Sequence, residues 1–203
     1  MKIICIGRNY AEHAKELNNP VPQEPVIFMK PSTALTRNNK VFFYPEFTKN
    51  LHYEGELVLK ISRNGRHIAE KFARKYFDEI TVGIDLTARD LQNNLREQGL
   101  PWEVAKAFDG SAVVGNFVPL KELTNPADIH FTLRRNGETV QDGHSSEMLF
   151  GFEQIITWTS RFFTLLKGDL IFTGTPRGVG EVKVNDVFEG LLEGKKVMAC
   201  RIK

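Results

Sequence analysis

The sequence lacks the features that mark several common classes of protein. Its two cysteines, Cys5 and Cys200, are too few for the disulfide framework of a small secreted domain. Both sit in apolar, strand-like stretches and read as buried free thiols. No apolar run approaches the ~18 residues of a transmembrane helix. Ile3-Ile4-Cys5-Ile6 is far shorter than the ~7–15-residue apolar core of a signal peptide, so the chain is expected to be soluble and cytoplasmic. An excess of one charge is also missing, with 27 Lys and Arg against 25 Asp and Glu and a net charge of +2. The signs are mixed along the chain without a long run, which argues against a nucleic-acid partner, a membrane partner or a charged tail. Repeats, low-complexity stretches and linkers are absent too.

What is there is the balance of a globular protein, 41% hydrophobic and 26% charged over 203 residues. That suffices for one domain with its own core, spanning residues 1–203. Strand signals dominate. Asn64-Gly65 and Asn136-Gly137 lie between β-compatible segments and fit two-residue type I′ hairpins. Glu193-Gly194 marks a third turn before the alternating Val197, Ala199 and Arg201. The expected fold class is therefore a β-rich α+β fold, a sandwich, barrel or roll with a few peripheral helices.

Three helices are legible. The first runs from about Tyr10 to Leu17, with Asn9 as N-cap and Glu12 as its reciprocal partner. It is short and weakly apolar, so residues 10–25 are expected to form a mobile lid. The second starts after Thr87, with Asp90 in the capping-box position, and stops at Gly99 with Pro101 beyond. The third carries Phe152, Ile155, Ile156, Thr159, Phe162, Phe163 and Leu166 on a helical period and should lie against the sheet.

Chemistry concentrates in the acids. Strand alternation sets Leu57, Leu59 and Ile61 on one face and brings Glu54 and Glu56 together on the other. Two such carboxylates repel each other unless a cation sits between them, and a hard ion such as Mg²⁺ or Mn²⁺ suits oxygen ligands. Asp85 ends an apolar strand beside Thr81 and Gly83, at a strand-to-helix junction. On spacing alone these read as solvated strand-face acids. Thr173–Gly180 looks like a phosphate loop but lacks the Gly-Lys-Ser/Thr ending, which excludes a P-loop nucleotide site.

His52-Tyr53-Glu54-Gly55-Glu56-Leu57, Asp85-Leu86-Thr87-Ala88-Arg89-Asp90, Pro101-Trp102 with Lys106, and Thr173-Gly174-Thr175-Pro176-Arg177-Gly178-Val179-Gly180 occur in order. Together with Ile6-Gly7-Arg8-Asn9-Tyr10 they cover most of the chain. The pattern resembles the fumarylacetoacetate hydrolase family, and its short form is similar to the acylpyruvate hydrolase and oxaloacetate decarboxylase branch. The resemblance implies a mixed β-sandwich roll, usually a homodimer, with Mg²⁺ or Mn²⁺ on Glu54, Glu56 and Asp85.

It further implies hydrolysis of the carbon–carbon bond of acylpyruvates such as acetylpyruvate or fumarylpyruvate. Decarboxylation or tautomerisation of oxaloacetate on the same scaffold is the alternative. His13, oriented by Glu16, would activate water as general base, and Lys106 and Gln92 would stabilise the oxyanion. Arg89, Lys30 and Thr175 would bind the small 2-oxo acid. Read without the family, His13 and Glu16 are a surface pair, Lys106 a snorkelling lysine, and Lys30 the cap of a strand end. A reading from another class keeps the acids as a structural Ca²⁺ site in a β-rich binding module. Two departures concern the substrate wall: Ala107 replaces a serine common in relatives, and Val113-Val114-Gly115-Asn116 replaces a Pro-x-Gly-Pro element.

Overall fold

The computed structural model describes residues 1–12, 21–38 and 40–203. Its architecture is the expected β-rich roll with few helices. The largest sheet runs Val26–Lys30 (β2), Ile3–Gly7 (β1), Leu170–Phe172 (β13), Gly55–Ile61 (β6), Phe77–Asp85 (β7), Ala112–Val114 (β9) and Leu35–Arg37 (β3). Val118–Pro119 (β10) also pairs with β7. The sheet is mixed, because β1 and β13, and β3 and β9, run parallel while their neighbours run antiparallel. A second sheet runs Glu138–His144 (β12), His130–Arg135 (β11), Val187–Leu192 (β15), Lys195–Ile202 (β16) and Val41–Phe42 (β4). A small third sheet joins Gly180–Glu181 (β14), Leu51–Tyr53 (β5) and Thr87–Ala88 (β8).

The core lies between the two larger sheets, where Leu57, Leu59, Ile80 and Val82 join Phe131, Leu133, Phe188 and Met198. A second cluster of Ile3, Cys5, Val58, Ala112 and Phe172 covers the other face of the large sheet. Strand β6 is thus buried on both faces, which explains its continuous apolar run. Each fully buried side chain of this size contributes roughly 1.5–3 kcal/mol. Cys5 and Cys200 are free and buried, as expected. Among the described residues, no helix is long and apolar enough to cross a membrane.

Two of the three expected hairpins form. Asn136 and Gly137 (φ 54° and 88°) join β11 to β12, and Glu193 and Gly194 (φ 47° and 75°) join β15 to β16. Positive φ at both central residues is the requirement of a type I′ turn. Asn64-Gly65 is not a hairpin. The chain leaves β6, bridges at Gly65 to Leu165, and passes through a short helix at Glu70–Ala73 before returning as β7.

The helices need three adjustments. Thr87 does not cap the second helix, Arg89–Glu97, because it is already paired in β8 and Ala88 is the N-cap. Asp90 instead ties down the preceding loop by accepting from Thr48 Oγ1 and Lys49 N. The third helix spans Phe152–Phe162 and buries Phe152, Ile155, Ile156, Thr159 and Ser160. Phe163 and Leu166 lie beyond its end, and Phe162 is 54% exposed. His13, Glu16 and most of the first helix, the heart of the expected lid at residues 10–25, lie outside the described residues.

Candidate metal centre and active site

The register of β6 against β7 builds the centre. Gly55 pairs with Ile84 and Glu56 with Gly83, and Asp85 N donates to Glu54 O at 2.8 Å just past the ladder. This sets Glu54 opposite Asp85 and Glu56 diagonal to it, so that all three side chains share one face. One ligand oxygen from each lies within 4.8 Å of the others. All three are buried, Glu54 at 6%, Glu56 at 2% and Asp85 at 0% exposure. The solvated-acid reading is therefore overturned.

Gly55 is required here by close approach rather than by φ. A Cβ at that position would sit 2.9 Å from Gln141 Oε1, which accepts from Gly55 N at 2.7 Å. Gln141 also donates to Thr175 Oγ1 at 2.8 Å and to Pro176 O at 3.0 Å. The Thr175 hydroxyl in turn donates to Gly55 O at 2.8 Å. Thr175 thus braces the Glu-Gly-Glu backbone. The turn Thr173–Gly180 presents a backbone N–H to one of the acids, Gly174 N donating to Glu56 Oε2 at 2.7 Å.

Cations surround the acids. Lys106, at the end of the short helix Glu103–Lys106, places Nζ 2.7 Å from Glu54 Oε2 and 2.8 Å from Asp85 Oδ2. Lys30 Nζ lies 2.7 Å from Asp85 Oδ1 and donates to Ser111 Oγ at 3.0 Å and to Lys106 O. It is a buried member of the cluster, not the cap of a strand end. Arg89 donates through one terminal nitrogen to Glu54 Oε1 and through the other to Gln92 Oε1. Lys106 is likewise buried and does not snorkel.

Burial, followed by repulsion from Asp85 and Glu54, pushes the Glu56 carboxyl well above the ordinary range. For Lys106 burial alone would lower the pKa, but Asp85 and then Glu54 outweigh it and hold it above the ordinary value. Asp85 Oδ1 accepts no hydrogen bond of good geometry despite the nearby Lys30 ammonium. A crowded, buried, oxygen-only donor set in which one acid resists ionisation fits a hard divalent cation.

Sequence reasoning overlooked Gln141 and Ser111, and read Asn9 only as a helix N-cap. Asn9 is wholly buried and donates to Thr173 O at 2.8 Å and Phe150 O at 3.0 Å, which fixes the turn that carries Gly174. A buried amide within an otherwise apolar strand end was the only available signal. His52 has its pKa lowered by burial and then by Arg89, and its Nδ1 is buried without a hydrogen bond. Tyr10 also buries its hydroxyl, without a hydrogen-bond partner among the described residues. It lines a cavity of about 380 Å³ with Asp142, Glu147, Pro176 and Arg177.

The sequence matches the family profile described as fumarylacetoacetate (FAA) hydrolase C-terminal over residues 2–203. The chain belongs to the fumarylacetoacetate hydrolase family. Within that family it is 42% identical to oxaloacetate tautomerase FAHD1, mitochondrial, of Rattus norvegicus over 201 residues, 99% of this chain and 90% of that protein. It is similar in structure to the fumarylpyruvate hydrolase of Pseudomonas aeruginosa, solved with Mn²⁺ and pyruvate, at a TM-score of 0.92 and 37% identity. That match covers 100% of this chain and 89% of the other. A 5-carboxymethyl-2-hydroxymuconate delta-isomerase of Mycobacterium smegmatis aligns at a TM-score of 0.86 and 34% identity, over 99% of this chain and 78% of the other. One family scaffold thus carries proteins named for hydrolysis and for proton-shifting chemistry.

Proposed function

We propose that this chain is an enzyme of small 2-oxo acids that uses Mg²⁺ or Mn²⁺ held by Glu54, Glu56 and Asp85. The observation that carries the reading is the buried carboxylate trio beside Lys30, Lys106 and Arg89. A bound divalent cation would supply Lewis-acid polarisation of the 2-oxo group. The binding-module alternative gives Lys106 and Arg89 no task beyond pairing with the acids, and buried ion pairs by themselves contribute little net stability.

The first reaction proposed is tautomerisation of oxaloacetate, supported by the 42% identity to a protein named for it. The three cations match a substrate with two carboxylates. Lys106, which Asp85 and Glu54 hold above its ordinary pKa, would act by charge on a developing oxyanion. Gln92 accepts from Arg89 through Oε1, which leaves its amide N–H groups free to donate to a substrate oxygen. Proton movement at carbon would fall to His13 oriented by Glu16, an assignment that rests on the family resemblance.

Hydrolysis of acylpyruvates is the second reading, favoured by the likeness to the fumarylpyruvate hydrolase. A homodimer is the proposed assembly. Phe47 and Val104, 52% and 62% exposed, line an apolar groove with Met29 and Phe108 that a second copy would cover.

The deciding experiment follows enol-to-keto conversion of oxaloacetate alongside cleavage of acetylpyruvate and fumarylpyruvate, with Mg²⁺, with Mn²⁺ and with chelator. Metal-dependent tautomerisation faster than either cleavage supports the first reading, and the reverse order supports the second. No metal-dependent turnover of any of the three contradicts both.

A further inference from the structure

Among the described residues a second group of metal-ligating side chains lies apart from the carboxylate trio. His130, Asp142 and His144 each offer a ligand atom within 4.8 Å of the other two. They stand at the open end of the β11–β12 hairpin, opposite the Asn136-Gly137 turn. His130 pairs directly with His144, and Asp142 pairs with Thr132 one step along the same face. Side chains placed this way on antiparallel strands converge by construction.

We propose that His130, Asp142 and His144 form a second cation site, selective for a borderline transition metal such as Zn²⁺. The donor chemistry separates it from the buried centre. Two imidazoles and one carboxylate favour Zn²⁺, Cu²⁺ or Ni²⁺, whereas an oxygen-only set favours Mg²⁺ or Mn²⁺. The two rings stand beside each other, with centroids 4.7 Å apart and planes inclined by 27°. His130 Nε2 is 2.8 Å from Asp142 Oδ1, so a base and an acid ligand are in register.

Asp128 supplies the orienting partner. His144 Nδ1 lies 3.3 Å from Asp128 Oδ1, which also accepts from Ser146 N at 3.3 Å. With Nδ1–H donated to this carboxylate, His144 keeps Nε2 as its lone-pair nitrogen, the way carboxylates orient metal-bound histidines. Asp142, His130 and His144 remain partly open to solvent, with side-chain exposures of 62%, 34% and 42%, which leaves an approach for the ion and room for water as a further ligand.

The site has a structural consequence. Gln141, adjacent to Asp142 on β12, holds Gly55 and Thr175 in place. An ion clamping the open end of the hairpin would stiffen the strand that braces the Glu-Gly-Glu segment.

The test is a calorimetric titration of Zn²⁺ into chelator-treated protein held in excess Mg²⁺, for wild type, His130→Gln, His144→Gln and Asp85→Asn. One binding event is expected in wild type and in Asp85→Asn, weakened at least about tenfold in either histidine variant. Thermal melts check that each variant folds, and Zn²⁺ should raise the melting temperature of wild type but not of His144→Gln. With Co²⁺ as probe, the visible bands of nitrogen ligation should be lost in both histidine variants. Unchanged zinc affinity in His130→Gln and His144→Gln overturns the proposal, and so does an event that only Asp85→Asn removes. Either result would leave His130–Asp142 and His144–Asp128 as two separate hydrogen-bonded pairs.

Discussion

Lys30 Nζ lies 2.7 Å from Asp85 Oδ1, with the two side chains 0% and 1% exposed. Their residues are far apart in sequence, and the chain after Lys30 returns as β3, whose Leu35 pairs with Ala112, the residue that pairs with Asp85. Removing one partner of a buried pair costs roughly 3–5 kcal/mol when the other charge is left uncompensated. Lys106, 2.8 Å from Asp85 Oδ2, keeps part of that compensation, so Lys30→Met should lower stability in urea melts by less than that amount. Added Mn²⁺ should restore part of it, because the ion supplies positive charge to Asp85. A variant as stable as wild type without metal would show that the pair carries no such burden.

Gly174 has φ 103°, and a Cβ there would meet Asn9 Cβ at 2.6 Å. Gly174→Ala should cost about 1–3 kcal/mol through backbone strain and a displaced Asn9. Its N–H would also shift from Glu56, so Mn²⁺ affinity should fall with the melting temperature. Thermal denaturation and ion titration on the same sample check both effects.

The sign of the Glu56 shift sets a pH dependence. A carboxyl whose pKa is raised on folding contributes stability at pH below the unfolded value, and that stability is lost as pH rises through the folded value. With chelator present, the melting temperature should therefore fall as pH rises above the ordinary carboxylate range. Glu56→Gln should flatten this trend, and so should saturating Mn²⁺. Melting curves across pH in the three conditions measure it, and a wild-type melting temperature that rises over the same interval would contradict the shift.

Much of this centre was legible in the sequence. Glu54, Glu56 and Asp85 could be grouped because strand alternation and the ends of apolar runs are local signals. The turns at Asn136-Gly137 and Glu193-Gly194 were legible because both central residues need positive φ, which is a property of the dipeptide. Asn64-Gly65 carried the same signal, but Gly65 is held by Leu165, far along the chain, and tertiary pairing overrode the local preference. Thr87 looked like a cap until pairing with His52 claimed it for a strand. Gln141 and Ser111 act through contacts 86 and 81 residues distant, so no window of sequence could reveal them. The family resemblance supplied Lys30 and Lys106 where periodicity alone left a strand cap and a snorkelling lysine.

Hydrolysis of acylpyruvates and decarboxylation of oxaloacetate, the other reaction that the resemblance implies, make different demands on His13. Hydrolysis needs an activated water, so His13→Ala should slow acylpyruvate cleavage by ~10²-fold or more. Decarboxylation of oxaloacetate needs no activated water and should fall less. Lys106→Met should slow both, because its charge serves a developing oxyanion in either path. Reporting kcat and KM together separates lost chemistry from lost binding. Equal loss of kcat in both reactions for His13→Ala, with KM unchanged, would give His13 a proton common to the two.

The central claim is that Glu54, Glu56 and Asp85 together hold the divalent ion, and Mn²⁺ titration of the carboxylate variants tests it most directly. One Mn²⁺ per chain should bind wild type at this centre. Glu54→Gln, Glu56→Gln and Asp85→Asn should each weaken it by more than the roughly 10–100-fold typical of changes outside the ligand set. Wild-type affinity retained in all three variants would contradict the assignment.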